Sequence, residues 1–198
     1  KKGTHLNAPG QSFERPSTTH ISVIDTDGNA VSMTSTIEGA FGSRLMVGGF
    51  LLNNQLTDFS YRSVADGQTV ANRVDGGKRP RSSMSPVIVF NEDNDVVAVS
   101  GSPGGMAIVP LVAKTLIAML DWNMTPQEAT NLPNVLMFGP TVFLEQGTEI
   151  ERHQETLTAL GHRVRVGNFP SGVHALAIRD GVIYGGADPR REGTVLGD

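Results

Sequence analysis

Apolar and polar residues alternate along two short stretches near the start of the chain, 20–24 and 30–37, with the two-residue period of a β-strand. The residues between them, Asp25-Thr26-Asp27-Gly28-Asn29, are strong turn formers. The pattern therefore predicts an antiparallel β-hairpin.

The register of this hairpin decides which side chains share a face. A three-residue turn would set Thr34 opposite His20. Thr36 would then stand opposite Thr18. The second strand would turn Ser32, Thr34 and Thr36 to one side and its apolar residues to the other, so one face of the hairpin is predicted to be lined with hydroxyl groups.

The rest of the chain mixes strand and helix patterns. Near-continuous apolar runs predict buried strands, apolar residues at helical spacing predict helices, and a capping box marks the start of one helix. Hairpins covered by helices make an α+β fold. The predicted elements are strands at 87–90, 96–100, 173–178 and 182–184 and helices at 106–120, from Thr125, and at 151–160.

Four segments lack a regular period. Residues 1–17 are predicted to be a tail or linker before the first strand. A glycine-rich run leads to a short strand at 50–52 that ends in a polar loop, and residues 61–77 are predicted to form a long surface loop, which is often functional. Residues 188–192 are expected to form a surface turn with a salt bridge.

Composition narrows the possible functions. The 198 residues carry a formal net charge of −4 and no Lys/Arg cluster longer than a pair, which gives no electrostatic footprint for nucleic acid or an anionic membrane. There is no cysteine, and no apolar run approaches the ~20 residues that span a bilayer. The five histidines are scattered without metal-ligand spacing, so no metal site is predicted. No cofactor of another kind is predicted either.

Thr18 stands at the head of the first predicted strand and has two interpretations. A Thr-Thr pair there is ordinarily a β-former and nothing more. If the chain were cut between Ser17 and Thr18, the free α-amine, with a pKa of ~7.7–8.0, could take the proton of the Thr18 hydroxyl and make it a nucleophile. One residue would then supply both nucleophile and base.

Two loops could hold anionic groups. Gly101-Ser102-Pro103-Gly104-Gly105 lies between a buried strand and a helix, where backbone N–H groups can converge on an oxyanion; a plain strand-to-helix turn is the alternative. This loop lacks the signature of a phosphate loop, which disfavours a nucleotide. Lys78-Arg79-Pro80-Arg81-Ser82-Ser83 mixes cations and hydroxyls, and either holds a carboxylate or is an ordinary solvated loop.

Five segments, taken in order, resemble the small subunit of γ-glutamyltranspeptidases. They are Thr18-Thr19-His20-x-Ser22-Val23 with Asp27-Gly28-Asn29-Ala30-Val31, Leu51-Leu52-Asn53-Asn54-Gln55-x-x-Asp58-Phe59-Ser60, Lys78-Arg79-Pro80-x-Ser82-Ser83-Met84-Ser85-Pro86, Gly101-Ser102-Pro103-Gly104-Gly105 and Ala187-Asp188-Pro189-Arg190. The resemblance implies an N-terminal-nucleophile hydrolase with an αββα sandwich, made as a precursor that cuts itself between Ser17 and Thr18. Residues 1–17 would precede the cut. Residues 18–198 would be the catalytic small subunit, paired with a large subunit from the same precursor, in the periplasm or outside the cell.

The resemblance also implies catalytic roles. Thr18 would be the nucleophile, and Thr36 would support its amine and hydroxyl. The N–H groups of Gly104 and Gly105 would form the oxyanion hole. Attack on a γ-glutamyl amide, such as that of glutathione, would give an ester on Thr18 that passes to water or to an amine acceptor. The same hydroxyl would earlier attack the carbonyl of Ser17, so cutting and turnover would share one nucleophile.

Substrate-binding roles follow from the same resemblance. Asp58 would bind the donor's α-amino group by charge and Gln55 would bind it by a hydrogen bond. Ser82 and Ser83 would bind the donor's α-carboxylate. An Arg of the large subunit would complete that carboxylate site.

Glu38 departs from the family pattern, because transpeptidases have Asn at this place, two residues after Thr36. Continued strand alternation would put Glu38 on the same face as Thr36, within reach of the donor's α-amino end. The same variant resembles cephalosporin acylases, which take glutaryl-type side chains without the amine, so a glutaryl acylase is the alternative enzyme. A third hypothesis is an unprocessed, inactive homologue that serves as a binding or structural protein.

Overall fold

The computed structural model describes residues 18–169 and 171–197, so the predicted tail and Ser17 lie outside the described residues. Residues 36–81 form one compact unit, and residues 18–35 with the described residues from 82 onward form another. The strands are β1 (Thr19–Ile24), β2 (Ala30–Ser35), β3 (Met46–Val47), β4 (Phe50–Leu51), β5 (Val64–Ala65), β6 (Gln68–Thr69), β7 (Val87–Phe90), β8 (Val96–Gly101), β9 (Val135–Phe138), β10 (Thr141–Glu145), β11 (Arg163–Gly167), β12 (His174–Arg179) and β13 (Val182–Ala187). The helices are α1 (Ile108–Leu120), α2 (Pro126–Asn131) and α3 (Gln154–Ala159), with short 3-10 helices at Gln55–Asp58, Gly105–Ala107 and Glu149–His153.

The β1–β2 hairpin has the predicted register. His20 pairs with Thr34, and the turn closes where the N–H of Asp25 donates to the carbonyl of Asn29 over 3.0 Å. The strand β2 ends at Ser35, two residues earlier than expected.

The larger unit is built on an antiparallel sheet with the strand order β13-β12-β8-β7. Both hairpins predicted from apolar runs are confirmed as β7–β8 and β12–β13. The helices α1 and α2 pack on this sheet through small side chains, and the buried alanines of this interface are Ala98, Ala118, Ala129, Ala175 and Ala177.

The β1–β2 hairpin packs against β8 and β12 on the other face of the sheet. Alternation along β8 turns Gly101 away from the face of Ala98, and the imidazole of His20 lies against Gly101. The layers of this unit are therefore helices, sheet and hairpin. The hairpin turns its polar side chains inward, while its outer apolar side chains, 42 to 52% exposed, are Ile21, Val23, Val31 and Met33.

A further sheet of three strands, β11-β10-β9, was not predicted from the sequence. The strand β10 is antiparallel to β9 and parallel to β11. Leu136, Val142 and Leu144 are buried in it. The helix α3 packs on β11, as expected where a helix connects two parallel strands.

The helix predictions hold with shifted ends. The capping box of α2 is confirmed, since the N–H of Thr125 donates to Glu128 over 2.8 Å and the N–H of Glu128 donates back to the Thr125 hydroxyl over 3.3 Å. The helix predicted at 106–120 begins as a 3-10 turn, and so does the one predicted at 151–160. In the described part of the chain, each helix is too short or too polar to cross a membrane.

The smaller unit, residues 36–81, contains short hairpins. One of them, β5–β6, lies within the segment predicted to be a surface loop, and a bridge between Ser60 and Arg73 closes its base. The predicted surface location of residues 61–77 is confirmed, and the segment contains a short hairpin that was not predicted.

The prediction of a surface turn with a salt bridge at 188–192 was right about the turn and the salt bridge and wrong about the location of the paired side chains. The side chain of Asp188 is 1% exposed and that of Arg190 is 14% exposed. The guanidinium of Arg190 donates to Asp188 over 2.9 Å and to both carboxylate oxygens of Glu145, and it also donates to the carbonyls of Thr130 and Leu132 at the end of α2. This turn is a buried link between distant segments, because the guanidinium finds its partners inside the fold.

Candidate functional site

Thr18 directly precedes β1 and is half-buried. The alternation of the strand places His20 and Ser22 on its side of the hairpin. Thr34 and Ser32 face this row from β2. The predicted hydroxyl-lined face is therefore confirmed within the larger unit, and Thr18 stands at its end.

The loop after β8 places the backbone N–H groups of a buried and an exposed glycine at the start of a helix. Gly104 has φ 136° and Gly105 has φ 58°, and both angles favour glycine. Among the described residues, nothing accepts a hydrogen bond from the N–H of Gly104 or of Gly105. The positive end of the α1 dipole lies just beyond them. This arrangement suits a negative charge that develops on a bound oxygen.

Ser82 and Ser83 belong to the larger unit and lie in the coil before β7. The hydroxyl oxygen of Ser82 accepts from the N–H of Met84 over 3.1 Å, and the carbonyl of Ser83 accepts from the Ser85 hydroxyl over 3.0 Å. The hydroxyl proton of Ser82 remains available for an acceptor such as a carboxylate.

The other predicted site residues lie in the smaller unit, where Asn54 joins two of its segments. The Asn54 side chain accepts from the N–H of Gly39 over 2.8 Å and donates to the carboxylate of Glu38. The hydroxyl of Thr36 accepts from the N–H of Glu38 over 2.9 Å. Thr36, Glu38 and the 3-10 helix Gln55–Asp58 are thus held in one cluster.

The alternation argument for Glu38 was wrong. The strand ends at Ser35, and Glu38 has a φ of 70°, so the two-residue period of β2 does not reach it. Glu38 is held by a turn and by Asn54 instead.

Gln55 and Asp58 contact each other, because the Gln55 amide donates to Asp58 over 3.3 Å. The amide oxygen of Gln55 is buried and has no donor among the described residues. A buried acceptor without a donor costs free energy unless a ligand supplies one. An ammonium group would supply that hydrogen and would also be attracted by the carboxylate of Asp58.

Sequence reasoning missed His20, because it judged the histidines only by metal-ligand spacing. His20 is 3% exposed, and its ring nitrogens lie 2.7 Å from the Thr34 hydroxyl and 3.0 Å from the Ser22 hydroxyl. Burial, and to a lesser degree the nearby His174, lowers the pKa of His20 to about 4. The predicted pairing of His20 with Thr34 already contained the signal for this contact.

Comparison with known proteins gives a consistent result. A family model described as gamma-glutamyltranspeptidase matches residues 2–198. The glutathione hydrolase proenzyme of Escherichia coli is 36% identical over 190 residues, which cover 90% of this chain and 32% of that protein. The acylase ACY 1 proenzyme of a Pseudomonas strain is 33% identical over 185 residues, which cover 91% and 32% of the two chains.

A solved structure agrees with these relatives. In a mutant of Helicobacter pylori gamma-glutamyltranspeptidase, a chain that is 36% identical superposes with a TM-score of 0.77, over 87% of this chain and 100% of that one. The α+β architecture described above is therefore that of an N-terminal-nucleophile hydrolase. The chain spans about a third of the length of the curated relatives it matches.

Proposed function

The chain belongs to the γ-glutamyltranspeptidase family, and we propose that it is the catalytic small subunit of a γ-glutamyl hydrolase or transferase acting on glutathione and related amides. The observation that carries the proposal is the pair of N–H groups at Gly104 and Gly105, which have no acceptor among the described residues and lie in the same unit as Thr18. An oxyanion is the acceptor that such a pair fits.

The proposed reaction uses Thr18 twice. Its hydroxyl first attacks the Ser17 carbonyl, and the C–N bond between Ser17 and Thr18 breaks, which leaves an ester and the free α-amine of Thr18. Water then hydrolyses this ester, which frees the hydroxyl and separates the two chains. In turnover the same oxygen attacks the γ-amide carbonyl of the donor while the α-amine takes its proton. Gly104 and Gly105 stabilise the oxyanion, and the proton passes to the leaving amine. Water or an acceptor amine then attacks the Thr18 ester and releases glutamate or a new γ-glutamyl amide. Thr36 supports the amine and the hydroxyl.

The positive and negative groups of the donor are proposed to be bound by different residues. The buried oxygen of Gln55 and the carboxylate of Asp58 accept hydrogens from the donor's ammonium group. The hydroxyls of Ser82 and Ser83 donate to its α-carboxylate. Glu38 adds a second carboxylate at the ammonium end, since Asn54 ties it to the segment that begins the Gln55–Asp58 helix.

A large subunit from the same precursor is the proposed partner. Its role is supported by the exposed apolar face of β1–β2, which needs a covering layer, and by relatives named as proenzymes. Location in the periplasm or outside the cell completes the proposal and rests on the resemblance to the family.

The test uses the full-length precursor. A denaturing gel should show two bands after maturation, and the mature enzyme should release p-nitroaniline from the γ-glutamyl anilide faster than from the glutaryl anilide. A preference for the glutaryl anilide would make the protein an acylase, which the relative ACY 1 keeps as the second candidate. A single band without turnover would indicate an inactive homologue.

Glu38→Gln sharpens the choice of donor. Removing the charge should weaken use of the γ-glutamyl anilide and improve relative use of the glutaryl one, because two carboxylates near a donor without a cation repel each other. The measurement is kcat/KM for both anilides, with Glu92→Gln in the exposed β7–β8 turn as control. An unchanged ratio would show that Glu38 does not sense the amine.

A further inference from the structure

The side chain of His20 fills a space that only a glycine at position 101 leaves open. A Cβ atom on Gly101 would lie 2.1 Å from Cε1 of His20 and within 2.5 Å of both ring nitrogens. Such distances are far inside van der Waals contact, so imidazole and glycine backbone fit each other directly. This contact joins β1 to the last residue of β8.

Both residues of this contact, His20 and Gly101, lie close in the chain to proposed catalytic groups. His20 stands two residues after Thr18 on the same side of the hairpin. Gly101 stands three residues before Gly104, and Ser102 and Pro103 between them are buried. A shift of β1 over Gly101 would therefore change the separation between the nucleophile and the N–H groups that stabilise the oxyanion.

Hydrogen bonds from both sides hold this contact in place. The Ser32 hydroxyl donates to the carbonyl of Ser100 over 3.0 Å, which ties β2 to β8. The ring N–H of His174 donates to the carbonyl of His20 over 2.8 Å, which ties β12 to β1. Because a carbonyl can only accept, this bond fixes the His174 tautomer with its hydrogen on Nδ1.

His20 is itself poorly suited to act as a base. Both of its ring nitrogens are engaged, one with Thr34 and one with Ser22. A neutral ring has one donor and one acceptor nitrogen, and two hydroxyls satisfy both. Burial keeps the ring neutral at physiological pH. Its remaining role is geometric.

We propose that His20 is a positioning residue, which sets the placement of Thr18 relative to Gly104 and Gly105 by filling the space over Gly101. The inference rests on the proposed function, because it concerns the reaction that Thr18 carries out. Its energetic basis is that misplacement of a reacting group by 1 Å can cost about 100-fold in rate.

The effect should fall on kcat. Donor binding is assigned to residues outside this contact, so the KM of the γ-glutamyl anilide should change less than about threefold in His20→Ala while kcat falls at least about 10-fold. His20→Asn can keep the hydrogen bond to Thr34 and His20→Gln the one to Ser22. Both should recover part of kcat if the ring acts by placement.

A double-mutant cycle with Gly101→Ala tests the contact itself. The new methyl group should lower kcat at least about 10-fold when the ring is present and by less than about twofold in the His20→Ala background, because the ring that it would strike is gone. The controls are His162→Ala, at an exposed histidine, and Gly76→Ala, where a Cβ meets nothing within 4 Å. Neither should alter kcat.

The experiment is done on the processed two-subunit enzyme, with rates divided by the processed fraction read from a gel. If His20→Ala fails to mature, His20→Asn and His20→Gln carry the same comparison. A kcat within twofold of wild type in His20→Ala, or an equal Gly101→Ala penalty in both backgrounds, overturns the inference. A processed wild-type enzyme that turns over neither anilide overturns the proposed function and this inference with it.

Discussion

The two faces of the β1–β2 hairpin follow opposite burial rules. Its inner face is polar and lies against the main sheet, with His20 only 3% exposed. Its outer face is apolar and about half exposed. Folded proteins ordinarily bury apolar side chains and expose polar ones. The reversal supports the two roles proposed above. Hydroxyls and an imidazole satisfy each other on the inner face, which is proposed to serve chemistry, and the outer face is proposed to contact a large subunit.

The sharpest test of this contrast uses adjacent threonines. Thr18→Ala should leave the precursor as one band and lower turnover by at least about 10³-fold, because it removes the proposed nucleophile. Thr19→Ala changes an exposed residue that points to the other face, so cutting and turnover should stay close to wild type. A gel and an anilide assay measure both. A Thr18→Ala precursor that still cuts would refute the assignment.

A substitution at Gly105 tests the loop that follows β8, the strand against which the inner face of the hairpin packs. With φ 58° and nothing within 4 Å of a Cβ, alanine would strain the backbone without a clash and turn the N–H groups away from the oxyanion. The expected loss in kcat is about 10² to 10³-fold, with a smaller change in KM. Gly139→Ala is the matched control, since Gly139 has φ 53° and equal space in the β9–β10 turn. Equal kcat values in the two folded variants would contradict the oxyanion role.

The outer face should respond in assembly rather than in catalysis. Met33→Lys places a charge where a large subunit is expected, and it should destabilise the two-subunit enzyme by at least about 2 kcal/mol. The exposed half of Met33 would lose its burial in the interface, and an unpaired ammonium group would lose its contact with water. The midpoint of urea denaturation measures this loss. Leu160→Lys, 70% exposed and away from the hairpin, is the control. A Met33→Lys enzyme as stable as the control would show that nothing covers this face.

The smallest expected effect is the pH dependence that His20 gives to stability. Its pKa is about 4 in the folded protein against an ordinary 6.5, so the unfolded chain binds more protons between these values. Stability from this group is complete above pH 6.5 and is lost as the pH falls toward 4. The wild-type free energy of unfolding should drop by about 2 kcal/mol more between pH 7 and pH 5 than that of His20→Asn. Parallel curves for the two proteins would contradict a buried neutral ring.

Local sequence signals were enough to predict the hairpin but not its surroundings. The length of the Asp25–Asn29 turn fixes the register, so the pairing of His20 with Thr34 followed without tertiary information. The contact of His20 with Gly101 could not follow, because it joins strands of different sheets.

Two other errors have local causes. The strand β11 was missed although Arg163 and Arg165 alternate with valines in the period of a strand, and its parallel pairing with β10 crosses a helix. Glu38 was misplaced because alternation was extended past Ser35 into a turn, which the Glu38-Gly39 pair could have indicated.

The buried link formed by Arg190 can form only late in synthesis of the chain, because its two ends are far apart in the sequence. A ribosome makes Glu145 45 residues before Arg190, so at ~5–20 residues per second this carboxylate waits about 2 to 9 s for its partner. The strand β8 likewise waits for β12, against which the Thr18 hairpin also packs. Until β12 is made, the hairpin that follows Thr18 therefore lacks part of the sheet on which it packs. The proposed cleavage before Thr18, which would depend on that support, is therefore expected after translation, when the whole sheet has left the ribosome.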